Sequence, residues 1–272
     1  MRKGIQGQHP VNKKMAKVIC LSSQKGGAGK TTSTHNIAVR LANLNNRVLL
    51  IDLDPSGNLT KCVGFERGAF DSDACDLFEK ERQVKAYPTN VANLYIIPSS
   101  SELAVYRGKL ILANAGERYL ERSLKRIKSN FDYIIIDTPP AIDLLVMNAH
   151  VASDYLIIPT DPDLISESNL DDSVSFFNTV LEDELNPNLK YLGVIVTRIR
   201  IQNTDHTELV ADYKTKYPVF GEVMLSKDAT VGFKQGKCAI EVRPSGAVAS
   251  EYRLITNKIL TKIREVEENG NN

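Results

Sequence analysis

Gln24-Lys25-Gly26-Gly27-Ala28-Gly29-Lys30-Thr31-Thr32, set directly after the apolar run Val18-Ile19-Cys20-Leu21, decides how the rest of the chain is read. A strand that empties into a glycine-rich loop and then a helix is a phosphate cradle. The glycines let successive N–H groups converge on one oxygen cluster, and the helix N-terminus adds its dipole. Gly26, Gly27, Ala28, Gly29, Lys30, Thr31 and Thr32 are therefore nucleotide-binding candidates, with Lys30 supplying charge and Thr31 a hydroxyl for Mg²⁺. The ordinary template, G-x-x-x-x-G-K-[ST], asks for glycine where this chain has Gln24, and a second lysine, Lys25, stands beside that departure.

Two more apolar runs end in carboxylates. Val48-Leu49-Leu50-Ile51-Asp52-Leu53-Asp54-Pro55 delivers Asp52 and Asp54, and Tyr133-Ile134-Ile135-Ile136-Asp137-Thr138-Pro139-Pro140 delivers Asp137. In an open α/β sheet the carboxyl ends of strands form the ligand edge, so these aspartates belong beside the loop. Asp137 suits Mg²⁺, held directly or through water. Asp52 also reads as a cap or turn residue, and Asp54 as a turn residue before Pro55.

Further apolar runs at Leu94–Pro98, Tyr155–Pro159, Tyr191–Thr197 and Val219–Val223 alternate with helical segments at Lys30–Leu44, Ser101–Ser129, Ser166–Glu184, Thr204–Lys216 and Val248–Glu267. The strand runs lack apolar/polar alternation, as strands covered on both faces should. The fold class is α/β: a mostly parallel, twisted sheet flanked by helices on both faces. Residues 1–15 read as a flexible, polar N-terminal leader, 16–267 as a single domain and 268–272 as a polar C-terminal tail.

The 272 residues carry a formal net charge of +1, so attraction to nucleic acid must come from a local patch and not from the overall field. Cys20, Cys62, Cys75 and Cys238 are scattered, with no CxxC pair and no metal-ligand spacing, which points to a reduced, cytoplasmic compartment. The four histidines suggest no metal site, and His35, just inside the loop helix, reads as a packed or surface residue. No segment has the apolar length of a membrane span.

Lys25-Gly26-Gly27-Ala28-Gly29-Lys30-Thr31-Thr32 resembles the KGGxGKTT loop of the deviant Walker A family of ParA and MinD ATPases. Leu53-Asp54-Pro55-Ser56-Gly57-Asn58 is similar to the DxDPQGN segment of its ParA branch, with Ser56 in place of glutamine, and Asp137-Thr138-Pro139-Pro140 to its DxPP segment. The resemblance implies a P-loop ATPase that binds ATP or ADP with Mg²⁺ and forms a sandwich homodimer when ATP-bound. It implies that Lys25 reaches the partner's phosphates and that Lys30 contacts the phosphates of its own nucleotide. Thr31 would coordinate Mg²⁺, Asp54 would position the attacking water, and Asp137 would support the ion through water. Thr197, Arg198 and Pro244 fall where the family frames the base. Turnover would be slow and stimulated by DNA and a partner.

In the ParA branch the dimer binds nonspecific DNA. From Lys227 to Arg264 basic residues outnumber acidic ones eight to three, and Lys227, Arg243 and Lys258 are the candidate phosphate contacts. The chain departs from the family here, with Ser245-Gly246-Ala247 where relatives carry arginines. The implied role is plasmid or chromosome partition, nucleoid-associated, with a ParB-like or small centromere-binding protein as partner. One alternative is a ParA-like positioner of a protein cargo. Another is a MinD-like membrane-cycling ATPase, for which the stripe Val248, Tyr252, Ile255, Ile259, Ile263 and Val266 would have to be an insertion face. That stripe reads better as core packing, with no stable membrane association.

Overall fold

The structure is a computed structural model that describes residues 15–66, 68–200 and 202–270. The expected leader, apart from Met15, and the last two residues of the expected tail lie outside the described residues. The strands are β1 (Lys17–Leu21), β2 (Val48–Asp52), β3 (Tyr87–Pro88), β4 (Leu94–Ile97), β5 (Tyr133–Asp137), β6 (Tyr155–Thr160), β7 (Lys190–Ile199) and β8 (Val219–Met224). They form one sheet in the order β3-β4-β2-β5-β1-β6-β7-β8. β3 runs antiparallel to β4, and the remaining pairings are parallel. The mostly parallel α/β fold read from the sequence is the fold observed.

The helices are α1 (Lys30–Asn43), α2 (Asn58–Cys62), α3 (Leu103–Ile111), α4 (Tyr119–Ile127), α5 (Leu144–Ala152), α6 (Leu164–Glu182), α7 (Thr204–Lys216), α8 (Lys227–Gln235), α9 (Ala239–Val242) and α10 (Ala247–Gly270). Each central strand feeds two cores. Val18, Cys20, Ile134 and Ile136 pack with Leu110, Leu124, Leu145 and Leu170 from α3, α4, α5 and α6. Ile19, Leu21, Leu50 and Ile135 pack with Ile37, Leu41, Tyr252 and Ile259 from α1 and α10. Covering both faces explains strands that are apolar without alternation.

The α10 stripe belongs to this second core: Tyr252, Ile255, Ile259 and Ile263 are all buried. That matches the core-packing reading and leaves no apolar face on those residues for a bilayer. No helix among the described residues is long and apolar enough to cross a membrane.

The expected helix over 101–129 is interrupted. Ala115 takes a left-handed φ of 51°, and a Cβ on Gly116 would sit 2.1 Å from the Leu110 carbonyl oxygen, so the chain turns sharply between α3 and α4. α5 and α8 were not expected. Each begins at a side-chain cap, with Asp143 accepting from Leu145 and Val146 N–H and Ser226 from Asp228 N–H.

Candidate nucleotide site

Parallel register sets the site. Leu21 at the end of β1 and Asp52 at the end of β2 both pair with Asp137 at the end of β5, so three strands release their polar ends at one level. The loop leaves β1 between the β5 and β6 sides of the sheet, where the strand order turns, the usual crevice for a ligand.

Two glycines make the loop's path. Gly27 and Gly29 have φ of 79° and 80°, and a Cβ on Gly29 would lie 2.9 Å from Thr197 Oγ1. Thr197 and Arg198, at the end of β7, hold the loop from that side: Thr197 Oγ1 donates to the Ala28 carbonyl at 3.1 Å and an Arg198 guanidinium nitrogen to the Gly27 carbonyl at 3.0 Å. Both carbonyls are thereby satisfied from the β7 side. Pro244 lies exposed in the turn between α9 and α10.

The two loop lysines are held in opposite ways. Lys30 is 6% exposed and its ammonium donates to the Ser23 and Lys25 carbonyls, both at 2.9 Å. Burial lowers its pKa, against the pull of Asp137 and Asp54. Lys25 pairs instead with Asp161 at 2.9 Å and Asp163 at 3.0 Å, two carboxylates just beyond β6. Burial lowers the Lys25 pKa, but the hydrogen bonds and charges of Asp161 and Asp163 outweigh it and the net shift is upward. Arg198 approaches the same Asp161 at 3.7 Å.

Asp137 is fully buried and accepts from Thr31 Oγ1 at 2.7 Å. Burial raises its pKa, Asp52 adds to the rise, and the Thr31 hydrogen bond and Lys30 oppose it. Asp52 is also fully buried and takes the capping role: its Oδ2 accepts from Thr60 N–H at 2.8 Å and Thr60 Oγ1 at 2.7 Å, inside α2. Burial pushes its carboxyl up to about 7. Asp54 is half-buried, accepts from Ser56 N–H at 2.8 Å, and offers its carbonyl to Ser99 Oγ at 2.6 Å. Thr31, Asp54 and Asp137 are all hard oxygen donors next to a glycine loop whose carbonyls are tied back. The residues therefore fit a nucleotide with Mg²⁺.

A family model described as an AAA domain matches residues 16–191. The Bacillus subtilis protein Soj, a sporulation initiation inhibitor, is 35% identical over 206 residues, covering 74% of this chain and 79% of Soj. The chain belongs to the ParA/MinD family of P-loop ATPases. A plasmid partition protein from Borrelia burgdorferi superposes with a TM-score of 0.74 at 28% identity, covering 92% of this chain and 100% of that one. The septum site-determining protein MinD from Pyrococcus horikoshii OT3, complexed with Mg-ADP, gives 0.74 at 25% identity over 90% of this chain and 96% of that one.

In this ParA/MinD family member the structure gathers Lys25, Lys30, Thr31, Asp54 and Asp137 at one edge, with Thr197 and Arg198 against the loop. Lys227 opens α8, Arg243 follows α9 and Lys258 lies on α10. All three are exposed, and none makes a hydrogen bond to the loop among the described residues. Sequence reasoning missed Asp161 and Asp163, although the strand Tyr155–Pro159 runs on into Thr160-Asp161-Pro162-Asp163, a third strand with carboxylates at its end.

Proposed function

We propose that this chain is a ParA-type partition ATPase, in which two copies close over two ATP molecules, bind DNA without sequence preference and separate after hydrolysis. The observation that carries the reading is the contrast between the two loop lysines. Lys30 is buried against its own loop, whereas Lys25 is half-buried and held by the carboxylates beyond β6. A second loop cation not committed to the loop's own carbonyls could neutralise charge from a second molecule, which would link nucleotide binding to assembly.

When bound, Mg²⁺ supplies charge neutralisation of the phosphate oxygens. Thr31 and Asp137, already joined by a hydrogen bond, would orient the ion's coordination shell. Lys30 would exchange its carbonyl partners, Ser23 and Lys25, for phosphate oxygens. Asp54, fixed by Ser56 and Ser99, would position the attacking water. Lys227, Arg243 and Lys258 would contact DNA phosphates on the exposed surface of α8, the turn after α9, and α10. The likeness to the Borrelia plasmid partition protein supports a partition role, with a ParB-like or small centromere-binding partner stimulating slow hydrolysis in the nucleoid.

Binding to mixed-sequence duplex DNA, measured with ATP, with ADP and without nucleotide across a salt series, tests this reading. ATP-dependent, salt-sensitive binding is the expected result. Nucleotide-independent binding, or none to DNA with binding to anionic vesicles instead, would overturn it.

A further inference from the structure

Among the described residues, one group of metal donors lies outside the phosphate site. His35 on α1 and Cys238 and Glu241 at α9 bring an imidazole nitrogen, a sulfur and a carboxylate oxygen within 4.8 Å of one another. His35 Nε2 is 3.7 Å from Glu241 Oε2. In a tetrahedral site with bonds of about 2.0–2.3 Å, neighbouring ligand atoms lie about 3.3–3.8 Å apart, so the cluster needs displacements of roughly 1 Å or less to close on an ion.

The scaffold around these atoms is built. Glu241 Oε2 accepts from Cys238 N–H at 2.8 Å, and the Cys238 sulfur accepts in return from the Glu241 N–H, a reciprocal cap that puts thiol and carboxyl on one side of α9. Asn36, the residue after His35, accepts from Ile240 N–H at 3.2 Å and so fixes α9 against α1. His35 and Cys238 are buried and Glu241 is half-buried, which leaves one side of the cluster open to solvent.

The His35 imidazole brings a nitrogen lone pair for a ligand bond. Cys238 would bind a metal as its thiolate, buried beside the Glu241 carboxylate. A divalent cation is the charge that would stabilise the thiolate there, releasing a proton as it binds. The donor set decides which cation. One sulfur, one imidazole nitrogen and one carboxylate suit zinc-class ions, whereas Mg²⁺ requires octahedral oxygen and would stay with Thr31, Asp54 and Asp137.

We propose that His35, Cys238 and Glu241 form a binding site for a divalent transition metal of the zinc class, with solvent completing the coordination. The ion would clamp the phosphate-loop helix α1 to α9, and through α9 to Arg243 and the turn at Pro244. Residue spacing could not show this, because the imidazole and the thiol come from opposite ends of the chain.

Co²⁺ added to full-length, chelator-stripped protein without nucleotide is the direct probe. The expected result is a near-ultraviolet thiolate-to-Co²⁺ charge-transfer band and tetrahedral visible bands, saturating at about one equivalent. The charge-transfer band should be lost in Cys238→Ser and kept in Cys62→Ala, and the visible bands should fade in His35→Gln. Zinc should raise the Tm of the wild type and not of a folded Cys238→Ser. Absence of the band in folded wild type, or its survival in Cys238→Ser, overturns the proposal. If Cys238→Ser does not fold, visible bands that are unchanged in both His35→Gln and Glu241→Gln overturn it equally.

Discussion

Lys25 and Lys30 are five residues apart, and their different surroundings underlie the different work proposed for them. Lys30→Ala should abolish ATP binding, because it removes the buried ammonium of the phosphate loop. Lys25→Ala should leave nucleotide binding within a few-fold of wild type while abolishing the ATP-dependent dimer. Equilibrium nucleotide titration beside light scattering separates the two losses. Asp161 and Asp163 add a second expectation. Partly exposed ion pairs are worth about 0–1 kcal/mol each. If their hold on Lys25 competes with its reach to a partner, Asp161→Asn with Asp163→Asn should tighten ATP-dependent dimerisation by about two- to tenfold. Weaker dimerisation would mean that the carboxylates position Lys25 instead of restraining it. Asp54→Ala should keep ATP binding and the dimer while slowing hydrolysis by about 100-fold or more, the usual range for a group that positions or deprotonates a nucleophile.

At the scale of elements, α5 illustrates both a stability effect and a limit of sequence reading. His150 lies on this helix at 1% exposure, packed on the Phe176 ring at 5.0 Å, with neither ring nitrogen hydrogen-bonded among the described residues. Burial lowers its pKa from 6.5 to about 3. Between those values the unfolded chain binds a proton that the folded chain excludes, so stability falls as pH drops below 6.5 and is unaffected above it. His150→Leu should shrink the loss of urea stability between pH 7.5 and 5.5 by about 1 kcal/mol. An equal loss in both proteins would show that His150 accepts its proton in the fold. The helix itself was illegible because Leu144–Ala152 is apolar nearly all round, so no 3.6-residue stripe marks it. The central strands were legible for the opposite reason: unbroken β-branched runs bounded by aspartates have few other readings. β3, two residues long, and the left-handed Ala115 that splits α3 from α4 leave no periodic trace. The phosphate loop, Asp54 and Asp137 were legible because each sits at a strand end and inside a recognisable motif. Asp161 and Asp163 stand at a strand end too, but outside any such motif, and their ion pairs with Lys25 follow from the placement of β6 beside β1.

For the whole molecule, the decisive quantity is how charge is counted when two copies act together. With a net charge of +1, the overall field offers DNA little attraction, so the proposed binding would rest on a few exposed side chains. Each phosphate neutralised on duplex DNA contributes about −0.9 to the slope of log K against log salt. If Lys227, Arg243 and Lys258 each meet one phosphate, a single chain gives a slope of about −3 and a sandwich dimer, which presents every residue twice, about −5. Substitution reports the same doubling. Lys258→Gln should make the slope shallower by about 2 in the ATP state if the binding species is a dimer, and by about 1 if it is a single chain. Anisotropy titrations of a mixed-sequence duplex, with ATP and with ADP, distinguish these values without any separate measure of assembly. Lys25→Ala should lose the steep slope although Lys25 touches no DNA in this scheme, because the loop lysine and the α10 lysine would be linked only through dimerisation. A slope unchanged by substitution at all three basic positions would move the DNA surface away from the α8–α10 corner while leaving the nucleotide site as described.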